Sequence, residues 1–177
     1  MELYLVKPDL YFFEAYNAMM AEWIESGTQI APWFLGKPFP DLEAFGNFIR
    51  MLDDCEHGRV DQRYAATSSF FVVDEAGKLV GATSLRHYLT PQGLRTWGHI
   101  GYGVRPSRRL QGYGTRMLQL MLEEAKRRNI RRILLGCHTS NLGSAQVIRR
   151  CGGQLEDIVD DPDAPGETIS RYWIHNR

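Results

Sequence analysis

The sequence predicts a single mixed α/β domain in which helices flank a central sheet. Two observations predict it. Apolar residues switch between strand-like and helical spacing along the chain, and three β-rich runs follow one another before the helical spacing returns. The predicted order is β-α-α-β-β-β-α-β-α-β-β. The 177 residues are enough for one domain with a substantial core, and we expect that domain to span residues 1–177.

The first part of the chain predicts one strand and two helices. The segment ELYLV is typical of a short strand. Apolar residues at three- and four-residue steps predict a helix from Asp9 to about Ser26 and a second from Asp41 to Leu52. Between them, the loop APWFLGKPFP holds three prolines. Its Trp33 and Phe34 either form a wall for a substrate or anchor the loop on the core.

The rest of the chain begins with a hairpin. The segment SSFFVVDEAGKLVGATSLRHYL predicts two strands closed by DEAGK, and RTWGHIGYGV predicts a third consecutive strand. A helix from about Gly112 to Arg128, the buried strand RRILLGC and a short helix after Asn141 follow. GQLEDIV and TISRYWIHN predict a closing antiparallel pair. Because side chains alternate along a strand, only one of Arg86 and His87 can face a substrate pocket.

Composition excludes several classes of protein. No apolar run approaches the roughly 20 residues that span a bilayer, and the first ten residues lack a signal-peptide pattern. Cys55, Cys137 and Cys151 have no metal-ligand spacing, so we expect a reduced, cytoplasmic protein without a metal or a membrane partner. Residues 105–132 hold nine Lys and Arg, but the net charge is zero and the helix there also carries glutamates. We therefore expect no nucleic-acid partner.

Charge is unevenly distributed along the chain. Residues 1–65 carry 5 Lys and Arg against 11 Asp and Glu, whereas residues 66–177 carry 16 against 10. Either these charges are simply solvated, or the chain has an anionic and a cationic surface with different ligands. The second interpretation favours a cationic substrate.

The segment RRLQGYGTRM predicts an anion site. Gly112 and Gly114 lie at a strand-to-helix turn, where backbone N–H groups and the positive end of the helix dipole point outward together. Arg105, Arg108 and Arg109 add positive charge. Neither Gly-Lys-Ser/Thr nor G-x-G-x-x-G is present, so the segment is not a Walker or dinucleotide loop.

The remaining pattern R-x-x-G-x-G, from Arg109 to Gly114, resembles the pyrophosphate loop of the GNAT N-acetyltransferase superfamily, whose members bind acetyl-CoA. IGYGVRPSRR before it and ILLGCHTSNLGSAQVIRRCGG after it are also similar to the family, although Gly153 stands where the family usually has Phe. The resemblance implies a mostly antiparallel central sheet with splayed central strands. It also implies an acetyl-CoA-binding core at about residues 97–155 and no metal.

The resemblance implies roles for individual residues. Tyr102, Gly103 and Val104 would line the pantetheine, and the Val104 N–H would stabilise the oxyanion of a tetrahedral intermediate. Asn141 would contact the pantetheine or the thioester. The pyrophosphate would be bound by Arg109 and by the cradle residues Gln111, Gly112, Tyr113, Gly114 and Thr115.

Transfer to an amine requires proton movement. An alkylammonium with a pKa near 10.4 is only about one part in 10³ neutral at pH 7, so a proton acceptor is expected. His99 is the candidate, unless it is a histidine packed on the sheet. His138 is interpreted as mostly structural. The family's usual tyrosine donor is replaced by Ile148, so Ser144, one turn earlier, is the candidate proton donor, unless it only caps the short helix.

The sequence therefore predicts an acetyl-CoA-dependent N-acetyltransferase. It would move an acetyl group by direct transfer to a primary amine of a small molecule or a peptide. The alternative is a non-catalytic acyl-CoA-binding protein or sensor of the same fold. A homodimer stays open.

Overall fold

The computed structural model describes residues 2–61 and 63–176, so positions 1 and 177, the ends of the predicted domain, lie outside the described residues. The strands are β1 (Leu3–Val6), β2 (Thr67–Asp74), β3 (Leu79–Arg86), β4 (Ile100–Val104), β5 (Arg132–His138), β6 (Gln154–Asp160) and β7 (Thr168–His175). The helices are α1 (Phe13–Glu25), α2 (Leu42–Glu56), α3 (Pro91–Arg95), α4 (Tyr113–Arg127) and α5 (Leu142–Arg150). Short 3₁₀ turns at Leu10–Phe12 and Pro106–Arg108 precede α1 and α4.

The strands form two antiparallel sheets, with the orders β1-β2-β3-β4 and β5-β7-β6. This confirms a mixed α/β fold with mostly antiparallel sheets flanked by helices. The hairpin of β2 with β3 and the pair of β6 with β7 lie where the sequence predicts them. In the described part of the chain, β4 and β5 are joined by one isolated bridge, between Gly98 and Leu135. Beyond that bridge no pairing joins β4 to β5 within the described residues, and we call the space between their unpaired edges the gap.

Gly98 allows the two sheets to meet. Its φ is +69°, and a Cβ at this position would lie 2.1 Å from the carbonyl oxygen of Leu134. The next residue, His99, donates its backbone N–H to that same oxygen at 2.7 Å. A side chain at Gly98 would both strain the backbone and push the sheets apart.

Helices cover both sides of the larger sheet. α4 and α5 pack on one side against a buried cluster that holds Phe70 and Leu85 of this sheet and Ile133 of the smaller sheet. α1 and α2 pack on the other side, where Trp23 and Phe71 are buried. Burial of each such side chain contributes about 1.5–3 kcal/mol. We call the side of both sheets that faces away from α4 and α5 the α1 side.

The sequence prediction is wrong in two places. Residues 95–99 were expected to begin the third strand, but β4 begins at Ile100. α3 precedes it, because the Thr90 side chain accepts from the Gly93 N–H and Pro91 occupies the first helical turn. The second helix was expected to end at Leu52, but α2 continues to Glu56.

Candidate active site

The loop after β4 ends in a helix N-terminus that Gly112 shapes. Gly112 is the N-cap of α4, with φ 87° and ψ −7°, in the left-handed region that favours glycine. Within the described residues, no side chain caps this helix. The first N–H groups of α4 are therefore left for an external partner, and with the positive helix end they fit an anion such as the pyrophosphate of acetyl-CoA.

The absence of a side chain at Gly114 has a different physical reason. A Cβ there would lie 3.3 Å from Cγ2 of Val147 and 3.7 Å from Cγ2 of Val104. The missing side chain lets the first turn of α4 pack closely on α5 and β4. The sequence interpretation assigned both glycines to the approach of a phosphate, whereas the contacts give Gly114 a packing role.

The other cradle residues offer mainly their backbone to a ligand. The side chain of Gln111 donates to the Ser107 carbonyl oxygen at 3.1 Å. The ring of Tyr113 is buried in a small cluster with Met117. Thr115 is half-buried on the first turn of α4.

Arg109 connects β4 to the segment after α1. Its Nε donates to the Val104 carbonyl oxygen at 3.2 Å, and its Nη2 donates to Thr28 Oγ1 at 3.0 Å. The guanidinium also lies 5.5 Å from the ring centroid of Trp23. Burial lowers the pKa of Arg109, and the negative charge of Glu22 opposes that change. These contacts hold the loop on α1, and a contact of Arg109 with phosphate stays a prediction.

β4 presents every second peptide group to the gap. The N–H of Arg105 donates to the Val80 carbonyl oxygen at 2.9 Å, which fixes the register of β4 on β3. Because hydrogen bonding alternates along an antiparallel strand, the N–H and C=O groups of Tyr102 and Val104 point into the gap. Those of Gly103 point toward β3. Two of the three predicted pantetheine-lining residues thus have polar backbone groups on the correct edge.

Glycines also bring the loop before α2 onto β4. A Cβ at Gly103 would lie 2.0 Å from the Ala31 carbonyl oxygen, and a Cβ at Gly101 would lie 3.2 Å from Pro32 Cβ. Phe34 is 6% exposed and anchors this loop in the core, whereas Trp33 is 49% exposed. Of the two aromatic residues, only Trp33 is free to form a wall for a substrate.

A tyrosine crosses from β4 to α5 on the other side of the sheets. The hydroxyl of Tyr102 lies 2.9 Å from Ser144 Oγ. Burial raises the pKa of Tyr102, so the phenol stays protonated at neutral pH. The side chain of Asn141 caps α5 by accepting from the Ser144 N–H at 3.0 Å. Ile148 is fully buried in the core.

His99 lies at the point where the sheets meet. It is 6% exposed, and its Nδ1 accepts from the Leu134 backbone N–H at 3.0 Å. Since a backbone N–H can only donate, the lone pair of Nδ1 is occupied and the neutral ring carries its proton on Nε2. Burial lowers the pKa of His99 to about 4, opposed by the Leu134 hydrogen bond. This geometry favours the packed alternative over the role of proton acceptor.

His138 has the opposite arrangement. Its Nε2 lies 2.9 Å from Asp161 Oδ2, and its ring makes an edge contact with Trp97 at 5.1 Å between centroids. The backbone N–H of Asp163 and the contact with His138 lower the pKa of Asp161, so this carboxyl is ionised and can only accept. Nε2 therefore carries the proton of the neutral ring, and within the described residues Nδ1 has no hydrogen-bond partner.

His138 is also placed differently in the sheet. Cys137 belongs to the buried cluster under α4 and α5, so by alternation His138 faces the α1 side. Its side chain is 19% exposed. Sequence reasoning missed its partner Asp161, which follows β6 and carried no signal beyond an acidic residue in the turn DDPDAPG.

Alternation also separates Arg86 from His87. Ala82 packs with the α1 and α2 cluster, so Arg86 faces the α1 side. His87 faces α4, where its Nε2 lies 2.8 Å from Ser68 Oγ.

Two further findings concern residues 2–61 and 63–176. No group of three or more His, Cys, Asp or Glu is arranged to hold a metal ion. No helix is both long and apolar enough to cross a membrane.

The acetyltransferase (GNAT) family model matches residues 31–153 of the chain. No curated protein matches it. Among solved structures, RimL, a ribosomal L7/L12 α-N-protein acetyltransferase in complex with coenzyme A, has a TM-score of 0.72 and 20% identity, covering 98% of this chain and 93% of that chain.

Two more solved structures share the fold. The microcin C7 self immunity acetyltransferase MccE, in complex with acetyl-CoA and AMP, has a TM-score of 0.70 and 16% identity, covering 98% of this chain and 92% of that chain. A mutant of the spermidine N-acetyltransferase SpeG from Vibrio cholerae has a TM-score of 0.65 and 14% identity, covering 99% of this chain and 95% of that chain. At these identities the likeness concerns the fold alone.

Proposed function

The chain belongs to the acetyltransferase (GNAT) family, and on that premise we propose that it is an acetyl-CoA-dependent N-acetyltransferase that acts on a primary amine of a small molecule or a peptide. One observation carries the proposal. The open edge of β4, with the peptide groups of Tyr102 and Val104, leads directly into the uncapped N-terminus of α4. The amides of a pantetheine need donors and acceptors such as those of the β4 edge, and the pyrophosphate needs donors such as those of the α4 N-terminus.

Different groups of the protein would bind different parts of acetyl-CoA. The cradle residues 111–115 would hold the pyrophosphate on their N–H groups, and Tyr102 and Val104 would bind the pantetheine. The Val104 N–H would donate to the acyl oxygen, as the resemblance implies. When bound, acetyl-CoA supplies an acyl group that is already activated as a thioester. Positioning an amine beside it supplies several kcal/mol.

We further propose His138 as the proton acceptor. Its Nδ1 lone pair is available, and its ring is oriented by Asp161 at 2.9 Å. An acceptor oriented by a carboxylate is a common arrangement for general bases. His99, the residue that the sequence favours, has its accepting nitrogen occupied by the Leu134 N–H. As proton donor toward the departing thiolate, Ser144 stays the candidate, supported by the protonated phenol of Tyr102 at 2.9 Å.

Solved proteins of the same fold are named for α-N-acetylation of a ribosomal protein and for N-acetylation of spermidine, which supports an amine as the acceptor. The test incubates the protein with acetyl-CoA and a library of amines and peptides. Free thiol and acetylated product are measured together. Turnover with an amine is the expected result, whereas acetyl-CoA binding without transfer to any amine would favour the alternative, a non-catalytic acyl-CoA sensor.

Gly112→Val tests the cradle. A side chain and a φ of 87° are in conflict, so the first N–H groups of α4 should move out of line with the pyrophosphate. Loss of charge-assisted hydrogen bonds worth about 1.5–3 kcal/mol should raise the KM for acetyl-CoA at least about tenfold. Gly77→Val is the matched control, because Gly77 has a φ of 73° in the β2–β3 turn and is not part of the cradle. A folded Gly112→Val enzyme with unchanged KM would remove residues 111–115 as the pyrophosphate site.

A further inference from the structure

Arg86 is a half-buried cation whose charge no carboxylate balances among the described residues. Its Nη1 donates to the Gly98 carbonyl oxygen at 3.0 Å. In the described part of the chain, this is the one hydrogen bond that its side chain makes, and no carboxylate lies within 4.0 Å of the guanidinium. Burial lowers the pKa of Arg86, because it disfavours the charged form of the guanidinium. Buried charges are normally paired, and a guanidinium has five N–H donors to satisfy.

Some arginines of the protein bond carboxylates. Arg105 bonds Glu22 at 2.6 Å, Arg128 bonds Glu56 at 3.0 Å, and the Nε of Arg171 bonds Asp157 at 2.7 Å. Arg109 instead bonds the neutral oxygens of Val104 and Thr28. Arg86 differs from all of these in its place at the junction of the two sheets.

Arg86 lies where a substrate must arrive. The oxygen it bonds belongs to Gly98, the residue at which β4 and β5 meet before the gap opens. The positive charge of Arg86 also contributes to the lowered pKa of His99, after the larger effect of burial. Like His138, Arg86 faces the α1 side of the sheets. The guanidinium therefore lies beside the end of the gap that the bridge between Gly98 and Leu135 closes.

Two hydroxyls on the same side lack partners. Ser69 and Ser84 are paired across β2 and β3, are 3% and 0% exposed, and neither Oγ has a hydrogen bond within the described residues. Both face the α1 side, as Arg86 does two residues after Ser84. Unsatisfied buried hydroxyls are rare in native proteins, so the α1 side of the sheet is unusually polar beside Arg86.

The acidic excess of residues 1–65 does not neutralise this region. Seven of its eleven carboxylates are engaged elsewhere: Glu22 with Arg105, Asp53 and Asp54 with Arg59, Glu56 with Lys7 and Arg128, and Asp61 with Arg63, while Asp9 and Asp41 cap helices. The cationic substrate that the charge distribution favours therefore has no carboxylate partner beside Arg86 among the described residues.

We propose that Arg86 binds the carboxylate of the acceptor, and that the acceptors are amines carrying a carboxylate, such as amino acids. This rests on the proposed N-acetyltransferase function and specifies its substrate class. A planar carboxylate accepts two parallel N–H bonds from a guanidinium, which suits the donors that Gly98 leaves available. With its carboxylate held at the junction, the acceptor can extend its amine into the gap.

The test compares each of several amino acids with its decarboxylated amine, for example phenylalanine with 2-phenylethylamine and leucine with isopentylamine. The full-length protein should show a kcat/KM at least about tenfold higher for the carboxylate-bearing member of the accepted pairs. Arg86→Gln, which keeps a donor for Gly98 but removes the charge, should abolish that preference through acceptor KM and leave the KM for acetyl-CoA unchanged. The exposed Arg95→Gln on α3 is the control and should keep the preference.

A binding measurement separates this inference from the function on which it rests. Calorimetry of the CoA-loaded protein with N-acetylphenylalanine and with N-acetyl-2-phenylethylamine needs no turnover. Preference for the carboxylate in calorimetry without any acetyl transfer would leave the Arg86 site standing and overturn the proposed function. Transfer to amines with no carboxylate preference, or a preference that survives in Arg86→Gln, would overturn the Arg86 site. If Arg86→Gln does not fold, the wild-type pairs decide, with Arg86→Lys as the second variant.

Discussion

Two histidines, one directly before β4 and one at the end of β5, have opposite hydrogen-bond partners. His99 accepts from a backbone N–H through Nδ1, whereas the Nε2 of His138 donates to the carboxylate of Asp161. The first ring is 6% exposed at the junction of the sheets, and the second has a side chain that is 19% exposed on the α1 side. The same residue type therefore holds the two sheets together in one place and keeps an accepting nitrogen available in the other.

The difference teaches that the partner determines what a histidine can do. A donor opposite His99 occupies its lone pair, and an acceptor opposite His138 leaves the lone pair of Nδ1 available. Burial acts in the same direction for His99, because it lowers the pKa of the ring to about 4. A side chain that is neutral and already accepting a hydrogen bond is poorly suited to take a proton from an ammonium.

His138→Gln should give the largest effect and test the comparison most directly. The glutamine amide can replace Nε2 as the donor to Asp161, so the fold should be kept, but nothing replaces Nδ1. Loss of a general base predicts a fall of about 10²- to 10⁴-fold in kcat/KM, largest near neutral pH. The exposed pair of His57 with Asp53 supplies the control, since His57→Gln should leave kcat/KM unchanged. A His138→Gln enzyme of full activity would show that His138 is not the general base.

His99 should instead determine how stability depends on pH. Its pKa is lowered from an ordinary 6.5 to about 4 in the folded protein. As the pH falls from 6.5 to 4, the unfolded chain binds a proton that the folded protein does not, so stability is lost over this range. The loss amounts to about 3 kcal/mol, and stability is fully recovered above pH 6.5.

Two variants of His99 separate packing from chemistry. In His99→Asn the amide oxygen can replace Nδ1 as acceptor for the Leu134 N–H, so the variant should fold, stay active and lose the pH dependence between 4 and 6.5. His99→Leu leaves that N–H unsatisfied and should lower the free energy of unfolding at pH 7.5 by about 1–3 kcal/mol. Denaturant unfolding at several pH values measures both. Inactivity of a stable His99→Asn enzyme would contradict the packing role.

Local patterns predicted much of the fold. The Asp41 cap and the DEAGK turn are short-range signals, and α2 and the β2–β3 hairpin follow from them. The start of α4 at Gly112 was also predictable, because Gly112 lies between a strand and a helical pattern. By contrast, α3 was missed although Thr90 and Pro91 signal a helix start, since the segment is short and precedes a true strand.

The catalytic candidates were harder because they depend on contacts between distant residues. Leu134 and His99 are 35 residues apart, and His138 and Asp161 are 23 apart. No periodicity or motif reports which of two histidines meets a donor and which meets an acceptor. The role of Arg86 depends likewise on the absence of a carboxylate around it, which composition obscured because residues 1–65 are rich in acids.

Ser144→Ala should give the smallest effect and extend the comparison to the other side of the sheets. If Ser144 donates the proton to the departing thiolate, its loss should lower kcat, but the phenol of Tyr102, 2.9 Å from Ser144 Oγ, stays beside the same space. The thiolate of a free thiol with a pKa near 8.5 can also leave unprotonated. We therefore expect a fall of no more than about tenfold in kcat, at the low end for general acid catalysis. The cap should survive, because Asn141 accepts from the Ser144 backbone N–H, so the melting temperature serves as the control.

Tyr102→Phe combined with Ser144→Ala removes both hydroxyls. A double variant whose kcat is unaltered from pH 6 to 9 would exclude both residues and leave water as the donor.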